Sequence, residues 1–453
     1  MKKWLPFMEH FILRKRRRTS PIQYENKTTE EEESTDFKLA ILCSQYPELD
    51  ESALLETLLA CEGSVEAASE ALEHGDTFRS PKKRDGSRAI QSSLSSFGMQ
   101  TTSAGLSATH AKKKLTRKGR TLHLYAPADI EAHTPCSIIH NFLPTEEADA
   151  LLKELLQEAV SYQSEVFKLF DNVVQSPHTN CFYVDSLEEA QRQKTEYTYN
   201  GSRVKDVREI TPEMRKVRAK VQKAVNTEIE RRVRDYYPEG KKLKYQSPHP
   251  WEPNAAFVNC YDGPHQSVGY HADQLTYLGP RAVIGSLSLG VAREFRVRRV
   301  LAKDDESESD NKTSKPNEKR ADAEGQIAIH LPHNSLLVMH AEMQEEWKHS
   351  IAPAQAIDPH PLAQNKRINV TYRHYKNFLH PKYTPLCKCG VSCILRCAMK
   401  KPEHRGRYMW MCHTNYAPGK EGCSYFKWAE FNDDGEPEWA TSVNREQSSP
   451  KEQ

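Results

Sequence analysis

The stretch Arg367-Ile368-Asn369-Val370-Thr371-Tyr372-Arg373 has a period of two, with Ile, Val and Tyr on one side and Arg, Asn, Thr and Arg on the other. That alternation is the signature of a strand with one apolar and one polar face. Two guanidinium groups and an amide turned inward demand an anionic partner, because an unpaired buried charge is strongly destabilising; a dicarboxylate suits both arginines. Further short apolar or alternating runs precede it: AAFVNCY (255–261), AVIGSLSLG (282–290), EFRVRRVL (294–301), QIAIHL (326–331) and SLLVMH (335–340). Short strands separated by turn residues predict an antiparallel sandwich or barrel within 121–380. An amphipathic helix opens the segment, with Leu143 and Pro144 leading into Thr145 as N-cap and Leu151, Leu152, Leu155 and Leu156 as its buried stripe. Residues 303–325 carry eight acids and five bases and no apolar pattern, which predicts a disordered hairpin insertion.

His271-Ala272-Asp273 lies at the end of an extended run, where a spacing of two puts both side chains on one face. His349 follows in EEWKHSI, after the run SLLVMH. Two histidines and one carboxylate converging on a point form the facial triad of a non-haem iron(II) site, which leaves three coordination positions open. A lone His-x-Asp is a weak signal among 19 histidines and 62 acids. The order of the surrounding elements strengthens it.

A strand with Asn259-x-Tyr261, then His271-x-Asp273, SLSLG-x-x-REF, a late His349 and Arg367-x-Asn369-x-Thr371-x-Arg373 resembles the AlkB family of iron(II)/2-oxoglutarate dioxygenases, especially its DNA-repair branch. The resemblance spans roughly 120–378. It implies a double-stranded β-helix (jelly-roll) core of α+β class, iron held by His271, Asp273 and His349, and 2-oxoglutarate bound by Asn259, Tyr261, Arg367, Asn369 and Arg373. It also implies oxidation of an N-methyl group on a base, with release of formaldehyde. YTYNG at 197–201 is similar to the family's aromatic flip-in segment, which makes Tyr199 a candidate for stacking on an extruded base; a tyrosine packed into a sheet is the competing reading. Repair members carry an acid two residues after the iron aspartate, whereas Asp273 is followed by Gln274 and Leu275. Base preference is therefore open, and methylated RNA or protein stays an alternative substrate.

The flanks have different compositions. Residues 1–35 hold RKRRR (14–18) and EEEE (30–33), a disordered leader with a candidate nuclear localisation signal. Apolar positions at helical spacing in 36–75 predict a three-helix bundle resembling a CUE ubiquitin-binding domain, with Tyr46-Pro47 and Ala71-Leu72 at the family's contact positions. Residues 76–120 form a basic linker, disordered by composition. Within it Gln91, Leu94 and Phe97 of QSSLSSFG (91–98) have the spacing of a sliding-clamp peptide.

Of the 11 cysteines, six crowd between 387 and 423. With no secretory signal pattern at the start, clustered thiols point to metal more than to disulfides. Cys387, Cys389, Cys412 and Cys423 can supply a closed tetrahedral zinc site, with Cys393, Cys397 and His413 as alternates for one ligand. The segment 385–430 resembles a GRF-type zinc finger through Gly406-Arg407-Tyr408 and the closing C-x-x-F-x-W pattern, and would be a small β-rich module. The resemblance implies contacts of Arg407 and Lys427 with single-stranded DNA. Phe426 and Trp428 are expected to form the finger's core pair, and 431–453 a disordered tail.

No run approaches the ~18–20 apolar residues of a spanning helix. The formal charge of +2 sums a basic linker, a basic finger and acidic runs, so it does not argue against a nucleic-acid partner. The expected protein is a multidomain nuclear enzyme that demethylates N-alkylated DNA, its modules joined by tethers. A non-catalytic adaptor for ubiquitin and DNA is the alternative from another class.

Overall fold

The computed structural model describes residues 121–169, 172–199, 202–300, 325–416 and 419–448, and, between 42 and 73, Leu42, Tyr46, Leu54, Thr57, Leu58, Cys61 and 64–73. The leader 1–35, the linker 76–120 with its clamp-type peptide, Pro47 and residues 303–324 of the insertion lie outside the described residues. The chain divides into two contact units, Met1–Gln100 and Thr101–Gln453. No described helix is long and apolar enough to cross a membrane.

In the first unit, helix α1 (Val65–Glu73) brings Ala68 against Leu42, Leu54 and Leu58, all fully buried. These residues come from the three stretches with helical spacing. Tyr46 packs on the same cluster and donates its hydroxyl to the Ser69 carbonyl at 3.2 Å, while Ala71 and Leu72 are half-buried.

The second unit begins with β1 (Thr121–Leu124), α2 (Pro127–His133), β2 (Cys136–Ile139) and α3 (Thr145–Glu158). The N-cap of α3 is Pro144, not Thr145: the proline holds an extended backbone and Thr145 is already helical. Then follow the hairpin β3 (Val166–Leu169)–β4 (Asn172–Gln175), β5 (Thr179–Val184), α4 (Leu187–Glu196), a second small hairpin β6 (Thr198–Tyr199)–β7 (Ser202–Arg203), and β8 (Val207–Glu209). Helix α5 (Pro212–Tyr236) is capped by Thr211, whose hydroxyl accepts from the Met214 N–H. Beyond it lie β9 (Ala255–Asp262), β10 (Val268–His271), β11 (Ile284–Gly290), β12 (Arg293–Arg299), β13 (Gln326–Leu331), β14 (Ser335–Met339), α6 (Met343–Glu346), β15 (Trp347–Ile351) and β16 (Lys366–Arg373).

Two sheets result, one ordered β2-β14-β11-β16-β9-β5-β8 and one β1-β13-β12-β15-β10. All pairings but β1 with β13 and β5 with β8 are antiparallel, so the expected sandwich of jelly-roll type holds. β12 and β13, the strands on either side of the insertion, are antiparallel neighbours.

The alternation in β16 separates two environments. Ile368, Val370 and Tyr372 join Leu287 and Leu289 of β11 under α3 and α5, in a cluster with Leu151, Leu155, Val217 and Val221. Fully burying such side chains contributes roughly 1.5–3 kcal/mol each, and a one-residue slip would turn all of them to the wrong face. Arg367, Asn369, Thr371 and Arg373 are thereby committed to the space between the sheets. Gly290 ends β11 with φ 85°, and a Cβ there would lie 2.3 Å from the Lys366 carbonyl oxygen. Only glycine permits this approach beside Arg367.

The C-terminal segment is a three-stranded sheet of β17 (Ile394–Ala398), β18 (Arg407–Met411) and β19 (Phe426–Ala429), with β18 central. It packs against the core and does not hang from a flexible tether. Phe378, Leu379, His380 and Thr384 of the connection are buried, the Tyr408 hydroxyl donates to Glu345 Oε1 at 2.9 Å, and Leu395 N–H donates to Thr276 Oγ1 at 3.4 Å. The buried aromatic pair is Tyr408 and Trp410, at 3% and 2% exposure; Phe426 is 48% exposed. The central strand buries its even residues Tyr408 and Trp410, so the edge strand that carries Phe426 and Trp428 does not supply the packing. The expected disordered tail also needs correction. Residues 432–436 form a turn, Asp433 accepts from Tyr245 N–H at 2.9 Å, and α7 (Ala440–Ser448) buries Ala440 and Val443 while the Trp439 indole donates to the Phe378 carbonyl at 2.8 Å.

Candidate active site

β10 and β15 pair so that His271 and His349 face each other across the ladder, ring centroids 4.3 Å apart. Asp273 lies just past the end of β10. Its Oδ1 is 3.8 Å from His271 Nε2 and 3.7 Å from His349 Nε2. The His271 Nδ1–H donates to the Gly269 carbonyl at 2.8 Å, which aims Nε2 at the common point; fixing one ring nitrogen to orient the other is how histidine ligands are usually held. Asp273 Oδ2 accepts from Arg373 Nε at 2.9 Å and Nη2 at 2.6 Å, and its backbone N–H donates to Gln344 Oε1 at 2.7 Å. Burial works against ionisation of Asp273, yet Arg373, His349 and His271 together outweigh it and hold the carboxyl at about 2. Burial, with His271 beside it, lowers His349 to about 3, so the imidazole is neutral and able to ligate. The three predicted residues therefore present one carboxylate oxygen and two imidazole nitrogens to one point, a donor set that fits iron(II).

Arg367 is 1% exposed. It donates through Nη2 to Ser288 Oγ at 2.8 Å, while its buried Nε and Nη1 have no partner. Desolvation lowers its pKa to about 10. A guanidinium with two orphaned donors inside a sandwich is a cradle for a carboxylate, and the residues present fit the distal carboxylate of 2-oxoglutarate. Tyr261 lies against the same guanidinium, whose Cζ is 5.4 Å from its ring centroid. Asn369 is committed to the protein, donating to Ser286 Oγ and the Leu287 carbonyl and accepting from Thr371. Asn259 hydrogen-bonds His178. Arg373, expected among the cosubstrate contacts, fastens Asp273.

Three site residues lay outside the sequence reading. His178 stacks on Tyr261 at 4.8 Å, and burial lowers it to about 4. Gln344 holds the Asp273 backbone. Arg293, present only as part of the REF motif, donates to the carbonyls of Gly263, Pro264, Gln266 and Ala352 and ties that loop to the β12 end. Each is a single polar residue whose partners lie on other segments of the chain.

A cavity of about 1300 Å3 runs from Arg367 past the triad to the C-terminal sheet. Tyr199 is on its wall, half-buried, edge-on to Phe182 at 5.6 Å and tilted against Phe257. Gln274 and the buried Leu275 line it too. Arg407 stacks on Trp428, Cζ 3.9 Å from the ring centroid. Lys427 pairs with Trp410, so it projects from the opposite face of that sheet. The sulfurs of Cys387, Cys389, Cys412 and Cys423 lie within 4.8 Å of one another; Cys393, Cys397 and His413 are not part of that group. Burial opposes ionisation of Cys412, but hydrogen bonds led by Thr414 bring its thiol down to about 6.

These features define an oxygenase site, and comparison with known proteins agrees. The 2OG-Fe(II) oxygenase superfamily matches residues 135–373, and the chain belongs to that superfamily. Over 125 residues it is 37% identical to the DNA oxidative demethylase ALKBH2 of Arabidopsis thaliana, covering 26% of this chain and 37% of that protein. Over 122 residues it is 29% identical to the alpha-ketoglutarate-dependent dioxygenase alkB homolog 3 of Rattus norvegicus, covering 26% of this chain and 35% of that one. The match thus spans about a third of the length of these relatives. The structure of OsALKBH1 aligns with 15% identity and a TM-score of 0.36 over 53% of this chain and 97% of that one.

Proposed function

We propose that this protein removes methyl groups from N-alkylated bases of DNA by an iron(II)- and 2-oxoglutarate-dependent oxidation. The observation that carries the reading is the joint placement of the His271–Asp273–His349 donor set and the orphaned Arg367 guanidinium in one cavity. Bound iron and 2-oxoglutarate supply the oxidising equivalent: O2 and 2-oxoglutarate yield succinate and CO2, and one oxygen atom enters an N–CH3 group, which then loses formaldehyde to leave N–H. The protein's part is to keep Asp273 ionised through Arg373, to anchor the cosubstrate through Arg367, and to seat the base beside the triad. Similarity to a DNA oxidative demethylase supports DNA as the substrate class.

The four converging thiols support a structural zinc ion, which would hold the C-terminal sheet together where apolar burial is small. That sheet is read as a GRF-type finger for single-stranded DNA, with Arg407 on Trp428 as its contact. The N-terminal unit is read as a ubiquitin-docking module, 91–98 as a clamp peptide, and the location as nuclear.

Formaldehyde release tests the reading, with single-stranded oligonucleotides carrying 1-methyladenine or 3-methylcytosine as DNA, the same as RNA, and a methyl-lysine peptide. Product from the DNA supports it. Product from RNA or peptide alone moves the substrate class, and no product from any of them favours the adaptor.

A further inference from the structure

The cavity that reaches the triad is closed on one side by the C-terminal sheet, whose Ile394, Arg396, Met409, Phe426 and Trp428 line it together with Lys348 of the core. Arg396, Met409 and Trp428 are successive cross-strand partners and form one row on one face. Lys348 precedes the ligand His349 in β15 and is paired directly across the ladder with Arg298 of β12. Like charges directly opposite in a ladder are destabilising. Three more cations, Arg396, Lys400 and Lys401 of the C-terminal sheet, line the same cavity as Lys348. Among the described residues none of Arg298, Lys348, Arg396, Lys400 or Lys401 makes an ion pair; Arg396 donates to the Tyr416 hydroxyl and Arg298 lies over the Tyr270 ring. Such a cluster repels itself until a polyanion neutralises it. Beside it Phe426, 48% exposed, meets Trp428 edge-on at 4.9 Å, a surface on which a base can stack.

The finger is also fixed to the catalytic centre. Tyr408 donates to Glu345, and the neighbouring Gln344 accepts from the Asp273 backbone. Resting on the nucleic-acid reading above, we propose that the finger is a built-in wall of the substrate site. Its Arg396, Lys400 and Lys401 make with Lys348 of the core one phosphate-binding rim that holds the strand flanking the target base, and Phe426 stacks on the adjoining base. The rim spans two modules, so a strand too short to reach beyond the cavity still engages both.

The test uses the full chain and a fluorescent, unmodified single-stranded DNA of about six nucleotides, followed by anisotropy over a salt series. Lys348→Ala and Lys400→Ala are each expected to weaken binding about five- to ten-fold at low salt and to reduce the salt-dependence slope by about 0.7. Lys348→Arg should keep wild-type affinity, and Phe426→Ala should weaken binding with no change in slope. Unchanged affinity and slope in Lys348→Ala, or no binding of the short strand by wild type, would overturn the shared rim. Loss of binding in Lys400→Ala alone would also overturn it, since the finger would then act as a separate module. This readout does not depend on turnover: wild type that binds in the expected pattern yet releases no formaldehyde sinks the demethylase reading and leaves the rim standing.

Discussion

Arg373 grips a single carboxylate oxygen of Asp273 with two nitrogens, at 2.9 and 2.6 Å, and leaves the other oxygen facing His271 and His349. The arginine therefore sets both the charge and the orientation of the aspartate. Arg373→Gln should raise the iron(II) concentration for half-maximal activity by ten-fold or more, of the order of a lost outer-shell partner, while changing the KM for 2-oxoglutarate less. A reversed ratio would show that Arg373 binds cosubstrate and holds the aspartate only in its absence.

Arg367 is the opposite case, a buried cation with donors to spare. Replacing it by methionine removes an uncompensated buried charge, so the cosubstrate-free Arg367→Met protein should unfold at the wild-type temperature or above. With both proteins already saturated with a divalent ion, adding 2-oxoglutarate should raise the melting temperature of wild type, because a ligand that binds only the folded state stabilises it, and should leave the variant unmoved. Equal ligand stabilisation of both proteins would contradict the assignment.

Several histidines lowered by burial give the fold an acid-side slope, His349 of the site and His413 among them. Burial lowers His178 to about 4 and His374 to about 3, from an ordinary 6.5. Below pH 6.5 the unfolded chain takes up protons that the folded chain refuses until near those lower values. Their contribution is thus complete above pH 6.5 and declines as pH falls toward 4. Asp273, at about 2, does not titrate in that window. Urea midpoints of the metal-free protein should fall between pH 7 and 5, and His374→Asn should flatten the decline. An unchanged slope in the variant would remove His374 from the account.

The Tyr408–Glu345 hydrogen bond makes the C-terminal sheet part of the core's stability. Burial raises the Glu345 carboxyl, against Arg281 and the Tyr408 hydroxyl. Tyr408→Phe removes one of the two hydrogen bonds to Glu345 Oε1, which keeps the Arg281 N–H, and should cost about 0.5–1.5 kcal/mol. Differential scanning calorimetry should show one transition for core and C-terminal sheet, displaced downward in Tyr408→Phe and, if the proposed zinc ion is bound, by a chelator. Two separate transitions, with only the lower one moved, would show that the modules fold independently.

β16 was legible because its two faces carry opposite chemistry: Ile368, Val370 and Tyr372 name the core and Arg367 and Arg373 name the site. His271 and Asp273 were readable from their spacing, and His349 only from the order of elements, since its meeting with His271 is made by the β10–β15 ladder. Helix α5 was missed because its buried stripe, Met214, Val217, Val221 and Val225, is narrow among many charges. The packing of the C-terminal sheet could not be read from residue types, because Tyr408 and Phe426 are both large aromatics and only the strand order decides which one meets the core. The same holds for α7, held down by the contacts of Trp439 and Val443 rather than by a pattern of its own.

The central claim is that His271, Asp273, His349 and Arg367 make one working oxygenase site for a methylated strand. The most direct measurement is the ratio of succinate, formaldehyde and repaired base formed from a 3-methylcytosine oligonucleotide with iron(II), 2-oxoglutarate and O2, in wild type and in Asp273→Ala. The account predicts equal yields of formaldehyde and repaired base, with at least as much succinate, in wild type and no product in the variant. Succinate without repaired base in wild type, or the same yields in Asp273→Ala, would contradict it.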